Sequence, residues 1–230
     1  MNKKAISIIL IIIGGFLIAY PVLYVEYLKY NDLLEEPIDI NLPQGIRLTI
    51  INNLDSSIAI SWYSNKIASN PQVEYSLNPN LEDSLSITPN VSNISSFFIY
   101  HTEINNLEPN KTYFYQVSSD SQNFRKIMNF TTLSNNSNIT RFLAYGDSRT
   151  QREEREMIAE RIYENFLNKF DFLIHTGDIV ADGRVQEQWN NYFNDTEILN
   201  TYKQGIFVEG NHERGEYSNA KMYDNLLMNS

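Results

Sequence analysis

Three short apolar segments in the second half of the chain end in the same way, with a glycine followed by an acidic or amide residue. The pairs are Gly146-Asp147, Gly177-Asp178 and Gly210-Asn211. The stretches between them have helical length and spacing, so the order is strand, helix, strand, helix, strand. Strands joined by helices run parallel, and the carboxyl ends of adjacent parallel strands face one crevice. The sequence therefore predicts an α/β sheet at whose edge Asp147, Asp178 and Asn211 converge.

Both intervening stretches predict amphipathic helices. Residues 151–170 carry apolar side chains at four-residue spacing, at Ile158, Ile162 and Phe166. Residues 185–199 place four apolar side chains on one predicted face: Val185, Trp189, Tyr192 and Phe193. We expect these faces to pack against the parallel sheet.

Residues 38–133 have a different sequence pattern, in which short segments of alternating apolar and polar residues are separated by Asn, Pro and Ser. Six of them, beginning near residues 46, 57, 72, 97, 112 and 126, predict strands of an all-β sandwich. Trp62 is the expected central core residue, and Tyr113, just after the turn at Pro109, fits a tyrosine corner. The polar stretch 134–138 marks a boundary, so the predicted domains are 38–133 and 139–230.

Residues 1–30 predict a membrane segment. Lys3 and Lys4 precede a nearly unbroken apolar run from Ala5 to Val25, which is about one bilayer span. Two lysines and no acid before the run favour a cytoplasmic N-terminus and an exported remainder. We expect a membrane-anchored extracytoplasmic protein; a cleaved signal peptide, which would leave it secreted, is the alternative.

Composition narrows the function classes. The formal net charge of −10 argues against nucleic acid as a binding partner and against general binding to an anionic membrane surface. The chain contains no cysteine, so neither disulfides nor thiolate ligands contribute. Carboxylate, imidazole and amide groups remain available as ligands.

The carboxylates at the strand ends indicate a cation. Close carboxylates repel each other unless a proton or a cation lies between them, and a carboxylate can bridge two metal ions. The alternative is that Asp147, Asp178 and Asn211 merely cap the helices that follow. Three such strand ends in series, the last followed by His212 and Glu213, favour the metal site.

The stretches GDSR, GDIVADG and GNHE, which begin at residues 146, 177 and 210, resemble the first three motifs of the calcineurin-like metallophosphoesterases. YHTEINNLEPNKTYFYQV, from residue 100, resembles the N-terminal domain of purple acid phosphatases, which is fibronectin type III-like. The expected fold is therefore multi-domain: a transmembrane or signal helix, a fibronectin type III-like sandwich, and an α/β metallophosphoesterase domain of β-α-β-α-β order.

This resemblance implies a hydrolase of phosphate esters with two metal ions, either Fe, Zn or Mn. Asp147 would bind the first metal, Asp178 would bridge both, and Asn211 would bind the second. His212 would stabilise the transferring phosphoryl group or protonate the leaving oxygen, with Glu213 as a supporting partner.

The remaining charged candidates have less specific expectations. Arg149 would contact a phosphate oxygen, or would instead pair with Glu153 on the next helix. His175 is predicted to be a packed or supporting residue near the site, and His101 a structural residue of the sandwich.

The chain departs from the resemblance at three points. Ala181 stands where purple acid phosphatases have a tyrosine, so the iron-tyrosinate colour is not expected. Arg149 stands where many relatives have a histidine ligand, and no histidine follows His212 to supply the family's later ligands. We therefore expect this chain to be an N-terminal fragment that holds about half of a bimetal site, with weak activity or none. The alternative is an extracytoplasmic binding module with a vestigial phosphoesterase domain.

Overall fold

A computed structural model describes residues 42–94, 97–214, 224 and 227. The membrane segment predicted at residues 1–30 lies outside this part of the chain. Among the described residues, no helix is both long enough and apolar enough to cross a membrane.

The first half of the described chain consists of β-strands, as predicted. Two sheets, in the orders β5-β6-β2-β1 and β4-β3-β7-β8, are built from antiparallel neighbours. The strands are β1 (Gln44–Thr49), β2 (Ile58–Ser64), β3 (Gln72–Ser76), β4 (Leu85–Ile87), β5 (Asn90–Ile94), β6 (Phe97–Ile104), β7 (Thr112–Ser118) and β8 (Met128–Thr131). The sequence predicted six of the eight; β4 has only three residues and β5 is largely polar, so neither shows an apolar alternation.

The two sheets share a core centred on Trp62. Its side chain is fully buried and stacks on Tyr100, with ring centroids 5.2 Å apart. The hydroxyl oxygen of Tyr113 accepts a hydrogen bond from the backbone N–H of Glu108 at 2.9 Å. This bond ties the strand to the turn before it, so the predicted tyrosine corner is confirmed.

The second half has the predicted β-α-β-α-β order. Its elements are β9 (Phe142–Tyr145), α1 (Arg152–Phe166), a 3₁₀ turn (Leu167–Lys169), β10 (Phe172–His175), α2 (Gln186–Asn200), β11 (Gly205–Phe207) and the short α3 (Asn211–Arg214). Strand β10 pairs in parallel with both β9 and β11, and His175 is level with Tyr145 and Phe207. The three strands therefore end at the same edge, as predicted.

One sheet of the first half continues into the parallel strands of the second half, which the sequence did not predict. Strand β1 pairs in parallel with β11 through Thr49 and Gly205, which gives the order β5-β6-β2-β1-β11-β10-β9. Helix α2 packs on β1, where the fully buried Arg47 lies 4.3 Å from the ring centroid of Phe193. The Tyr115 hydroxyl donates to the backbone oxygen of Thr201 at 2.8 Å. The sandwich therefore supports the α/β part directly.

The predicted apolar face of α1 is wrong in part. Ile158 and Phe166 are 59% and 48% exposed, whereas Arg155 and Ala159 are the buried residues of the helix. The helix is oriented by Arg155, whose Nη2 donates to Asp195 on α2 at 2.6 Å. An ion pair between the helices, which periodicity does not register, therefore determines which face is buried. On α2 the prediction holds, because its aromatic residues are buried: Trp189, Tyr192 and Phe193.

Both long helices lie on one face of the parallel strands. Leu143, Tyr145 and Leu173 pack with residues of α1 and α2 on that face. Among the described residues, Phe142, Ile206 and Val208 remain 56%, 37% and 46% exposed. Strand β9 is also the last strand of the sheet. This end of the sheet therefore keeps an exposed apolar surface.

Candidate metal centre

The loops that follow the three parallel strands contact one another through their backbones. The N–H of Asp147 donates to the oxygen of Gly177 at 3.1 Å. The N–H of Gly183 donates to the oxygen of His212 at 3.0 Å. The loop after β10 therefore lies between the other two, and the structure brings the three predicted strand ends together.

Close packing of these loops requires glycine at two positions. Gly177 has a φ of +101°, which is accessible to glycine at little cost. A Cβ on Gly210 would lie 2.3 Å from Oδ1 and 2.4 Å from the backbone nitrogen of Asp178. Asp147 and Asp178 themselves have φ of 53° and 54°, in the left-handed region that Asp tolerates better than most residues. The shared Gly-Asp pattern therefore reflects a shared, sharply turned backbone.

Glu213 joins the second loop to the third. Its side chain is buried, and its Oε2 accepts from the backbone N–H groups of Asp178 at 2.9 Å and Gly210 at 2.7 Å. Its Oε1 accepts from the N–H of Val180 at 3.0 Å. These three contacts fix the backbone on both sides of Asp178, so Glu213 is the supporting residue that the sequence predicted.

Arg149 contacts both carboxylates. Its Nη1 makes a short hydrogen bond to Oδ2 of Asp178 and lies 3.4 Å from Oδ1 of Asp147. The side chain of Asp178 is 15% exposed and that of Asp147 is 78% exposed, so Asp178 is the sheltered member of the pair. The alternative pairing of Arg149 with Glu153 is not the one that the structure adopts.

Asn211 and His212 begin α3 beside Asp178. The backbone N–H of His212 donates to Oδ1 of Asp178 at 3.3 Å, and the Asn211 side chain is exposed. The Nδ1 of His212 lies 2.7 Å from the oxygen of Ala181. A carbonyl oxygen only accepts, so Nδ1 carries a hydrogen and Nε2 is the nitrogen available for proton exchange.

His175 is a packed residue of the site, as predicted. Its Nδ1 accepts from the N–H of Gly177 at 3.2 Å, so the neutral ring donates from Nε2 to Oγ of Ser148 at 2.8 Å. Burial, together with the positive charge of Arg155, lowers the pKa of His175 to about 4. A neutral imidazole therefore links the first loop to the second. His101, also as predicted, lies in the sandwich, where its Nδ1 is 2.9 Å from Oγ of Ser61.

Sequence reasoning missed the group that positions the first loop. Asp195 on α2 is buried and accepts from Arg152 at 2.8 Å and from Arg155 at 2.6 Å. Arg155 also donates to the backbone oxygen of Ser148 at 2.6 Å. The sequence did contain a signal for this group, because Asp195 follows Tyr192 by three residues and so lies on the face of α2 that was predicted to be buried.

A cavity of about 240 Å³ opens beside Asp147. Its wall combines the end of β9 with one side of α1, where the apolar contributors are Ile158, Ala159 and Ile162. Its polar lining includes Ser148, Gln151 and Glu154, and α2 contributes Thr196 and Leu199.

The carboxylates fit one shared cation. Within the described part of the chain, no group of three or more His, Asp or Glu side chains is arranged to hold a metal ion. However, Asp147 and Asp178 both contact one positively charged nitrogen, Nη1 of Arg149, which acts here as a stand-in ion. The second oxygen of Asp178 faces the loop that carries Asn211. Asp178 is therefore placed between the first and third strand ends.

A β-sandwich joined to a parallel α/β unit, with paired carboxylates at its strand ends, is the type of structure found in metal-dependent hydrolases. Family comparison agrees with this class. Residues 43–132 match the family described as purple acid phosphatase, N-terminal domain, and residues 140–229 match the calcineurin-like phosphoesterase family. The chain therefore carries, in this order, a domain like the N-terminal domain of purple acid phosphatases and a domain like the calcineurin-like phosphoesterases.

Solved structures show the same fold. The purple acid phosphatase PPD1 from yellow lupin (Lupinus luteus) seeds superposes with a TM-score of 0.68 at 17% identity, over 81% of this chain and 40% of its own. PhoD superposes with a TM-score of 0.54 at 12% identity, over 79% of this chain and 41% of its own. The chain thus spans about two fifths of each neighbour's length. No curated protein sequence matches the chain.

Proposed function

We propose that the chain belongs to a metal-dependent enzyme that hydrolyses phosphate esters. The observation that carries the proposal is the position of Asp178, which lies between Asp147 and the loop of Asn211 and has one oxygen directed to each side. A carboxylate so placed can serve two cations at once, which is what a two-metal phosphoesterase requires. Family membership supports the same reaction class.

Each candidate ligand has a distinct place in this proposal. Asp147 and Asp178 would hold one metal ion, and Asp178 with Asn211 would hold the second; Fe, Zn and Mn are the candidates. When bound, the metal ions would offset the charge of the phosphoryl group and lower the pKa of a coordinated water. The three backbone bonds to Glu213 keep Asp178 and the Asn211 loop in register for that task.

His212 and Arg149 act on the phosphate ester itself. The bond from Nδ1 to the Ala181 oxygen orients the His212 ring, so that the imidazolium would give the proton on Nε2 to the leaving oxygen. Arg149 would bind a phosphoryl oxygen with its guanidinium group. The cavity beside Asp147 would take the organic part of the ester, because Ile158, Ala159 and Ile162 line its wall.

The domain boundaries and the location of the protein also remain proposals. We infer an anchor or signal segment at residues 1–30, the sandwich at 38–133, which we propose to be fibronectin type III-like, and the phosphoesterase part at 139–230. The apolar run with two preceding lysines supports an extracytoplasmic, membrane-anchored protein. Protease accessibility of the chain in sealed membrane vesicles tests this arrangement, since an exported chain resists a protease added on the cytoplasmic side.

The test of the proposed reaction is hydrolysis of a chromogenic phosphate monoester by the full-length chain, with and without added Mn²⁺ or Zn²⁺. We expect slow, metal-dependent turnover that is lost in Asp178→Ala and retained in Asp182→Ala, the matched carboxylate four residues away. Turnover that survives Asp178→Ala would contradict the proposed site. A chain that neither turns over the ester nor binds metal would leave the surface binding module as the function.

A further inference from the structure

The ion pair between Arg149 and the two carboxylates has a consequence for metal binding. Among the described residues, Asp147 and Asp178 form their ion pairs with this one guanidinium group. Arg152 and Arg155, on the helix that follows, form ion pairs with Asp195. Arg149 is thus the cation that compensates the carboxylate pair in the metal-free chain.

The same contact occupies the position that a shared metal ion needs. Nη1 of Arg149 reaches Oδ2 of Asp178 and Oδ1 of Asp147, the two oxygens that would face each other across a bound cation. A guanidinium group and a divalent ion cannot both lie there, because their like charges repel at this separation. Asp178 is mostly sheltered from water, so its contact with Arg149 is screened less than a surface pair.

We propose that Arg149 is a built-in counter-ion that stabilises the metal-free site and that must leave the carboxylates before a metal ion binds. The inference rests on the proposed function, because it concerns the same carboxylates. Arg149 is attached to the loop between β9 and α1, and its side chain is one-third exposed, so it can turn away without a change in the sheet. Metal affinity is then set by a competition between Arg149 and the incoming ion.

The competition predicts opposite effects on the two states of the chain. Replacing Arg149 with methionine keeps the length of the side chain but removes its charge. The metal-free chain then has an uncompensated carboxylate pair, and we expect its Tm to fall by about 2–4 °C, from a loss of about 1 kcal/mol. The metal-bound chain does not have this interaction to lose, so the same free energy should make Arg149→Met bind Mn²⁺ about fivefold more tightly.

The experiment is titration of the purified full-length chain with MnCl₂ in a calorimeter, together with thermal unfolding without metal. Arg184→Met is the matched control, because Arg184 pairs with Asp182 outside the carboxylate pair; its Mn²⁺ affinity should equal that of the wild type. Arg149→Lys retains the charge and should stay close to the wild type in both measurements.

A double-mutant cycle provides a readout without metal. We expect the Tm cost of Arg149→Met to shrink when Asp178 is already Asn, because the interaction has been removed from the other side. An undiminished cost would overturn the proposal.

The calorimetric outcomes separate this inference from the proposed function. Binding that depends on Asp178 but is no tighter in Arg149→Met overturns the inference and leaves the proposed function standing. Mn²⁺ binding by neither the wild type nor Arg149→Met overturns both.

Discussion

Replacing Glu213 with glutamine should weaken the junction between the second and third strand ends. The carboxylate accepts three backbone N–H groups, those of Asp178, Gly210 and Val180, at 2.9, 2.7 and 3.0 Å. Glutamine has the same shape but only one acceptor oxygen. Its best orientation keeps the two bonds on the Oε2 side and turns an NH₂ group toward the N–H of Val180.

The expected loss can be worked from these bonds. A hydrogen bond to a charged acceptor contributes about 1.5–3 kcal/mol, and neutralisation also weakens the two bonds that remain. We therefore expect Glu213→Gln to lower the free energy of unfolding by about 2–3 kcal/mol. Glu213→Ala loses both acceptor oxygens and all three hydrogen bonds, and we expect a loss of about 4 kcal/mol, less than the simple sum because water can enter the space.

The effect is measured by unfolding in urea, and the fluorescence of the buried Trp62 and Trp189 reports the transition. Glu160→Gln is the matched control, because it removes the same charge from an exposed position of α1 and should leave the midpoint unchanged. A Glu213→Gln chain as stable as the control would refute the assignment of the three bonds.

Three further changes test other parts of the structure. Burial lowers the pKa of His175 from 6.5 to about 4 in the folded chain. The contribution of the neutral ring to the free energy of unfolding is therefore complete above pH 6.5 and is lost as the pH falls toward 4. That loss reaches about 3 kcal/mol, and His175→Gln should flatten the pH dependence of urea stability in this window. Gly210→Ala places a methyl group 2.3 Å from Asp178 Oδ1, so it should lower the Tm and abolish Mn²⁺ binding; a fully stable variant that binds metal would contradict the loop packing. Tyr113→Phe removes the hydroxyl that accepts from Glu108, and we expect the free energy of unfolding in urea to fall by about 1 kcal/mol. Tyr75→Phe is the control and should be unchanged, because the Tyr75 hydroxyl forms no hydrogen bond with the residues that the structure describes.

The sequence predicts the strand ends because their signal is local. Each Gly-Asp or Gly-Asn pair follows directly on its strand, and the alternation with helices makes the strands parallel. The tyrosine corner is local for the same reason, since Tyr113 and Glu108 are five residues apart. These features need no knowledge of contacts between distant segments.

The contacts that escaped prediction join distant parts of the chain. Strand β1 meets β11 through residues 49 and 205, and no periodicity reports such a pairing. The buried face of α1 includes Arg155, which pairs with Asp195, whereas the apolar spacing had placed Ile158 and Phe166 on that face. Arg149 could be recognised as a charge near the site, but its two carboxylate partners become apparent only when the first and second loops are in contact.

The most direct test of the proposed metal centre is an anomalous difference map from crystals of the chain soaked in MnCl₂. We predict a peak bonded to both Asp147 and Asp178, with the Arg149 side chain turned away from them. A map without a peak at these carboxylates, and with Arg149 still in contact with Asp178, would contradict the account.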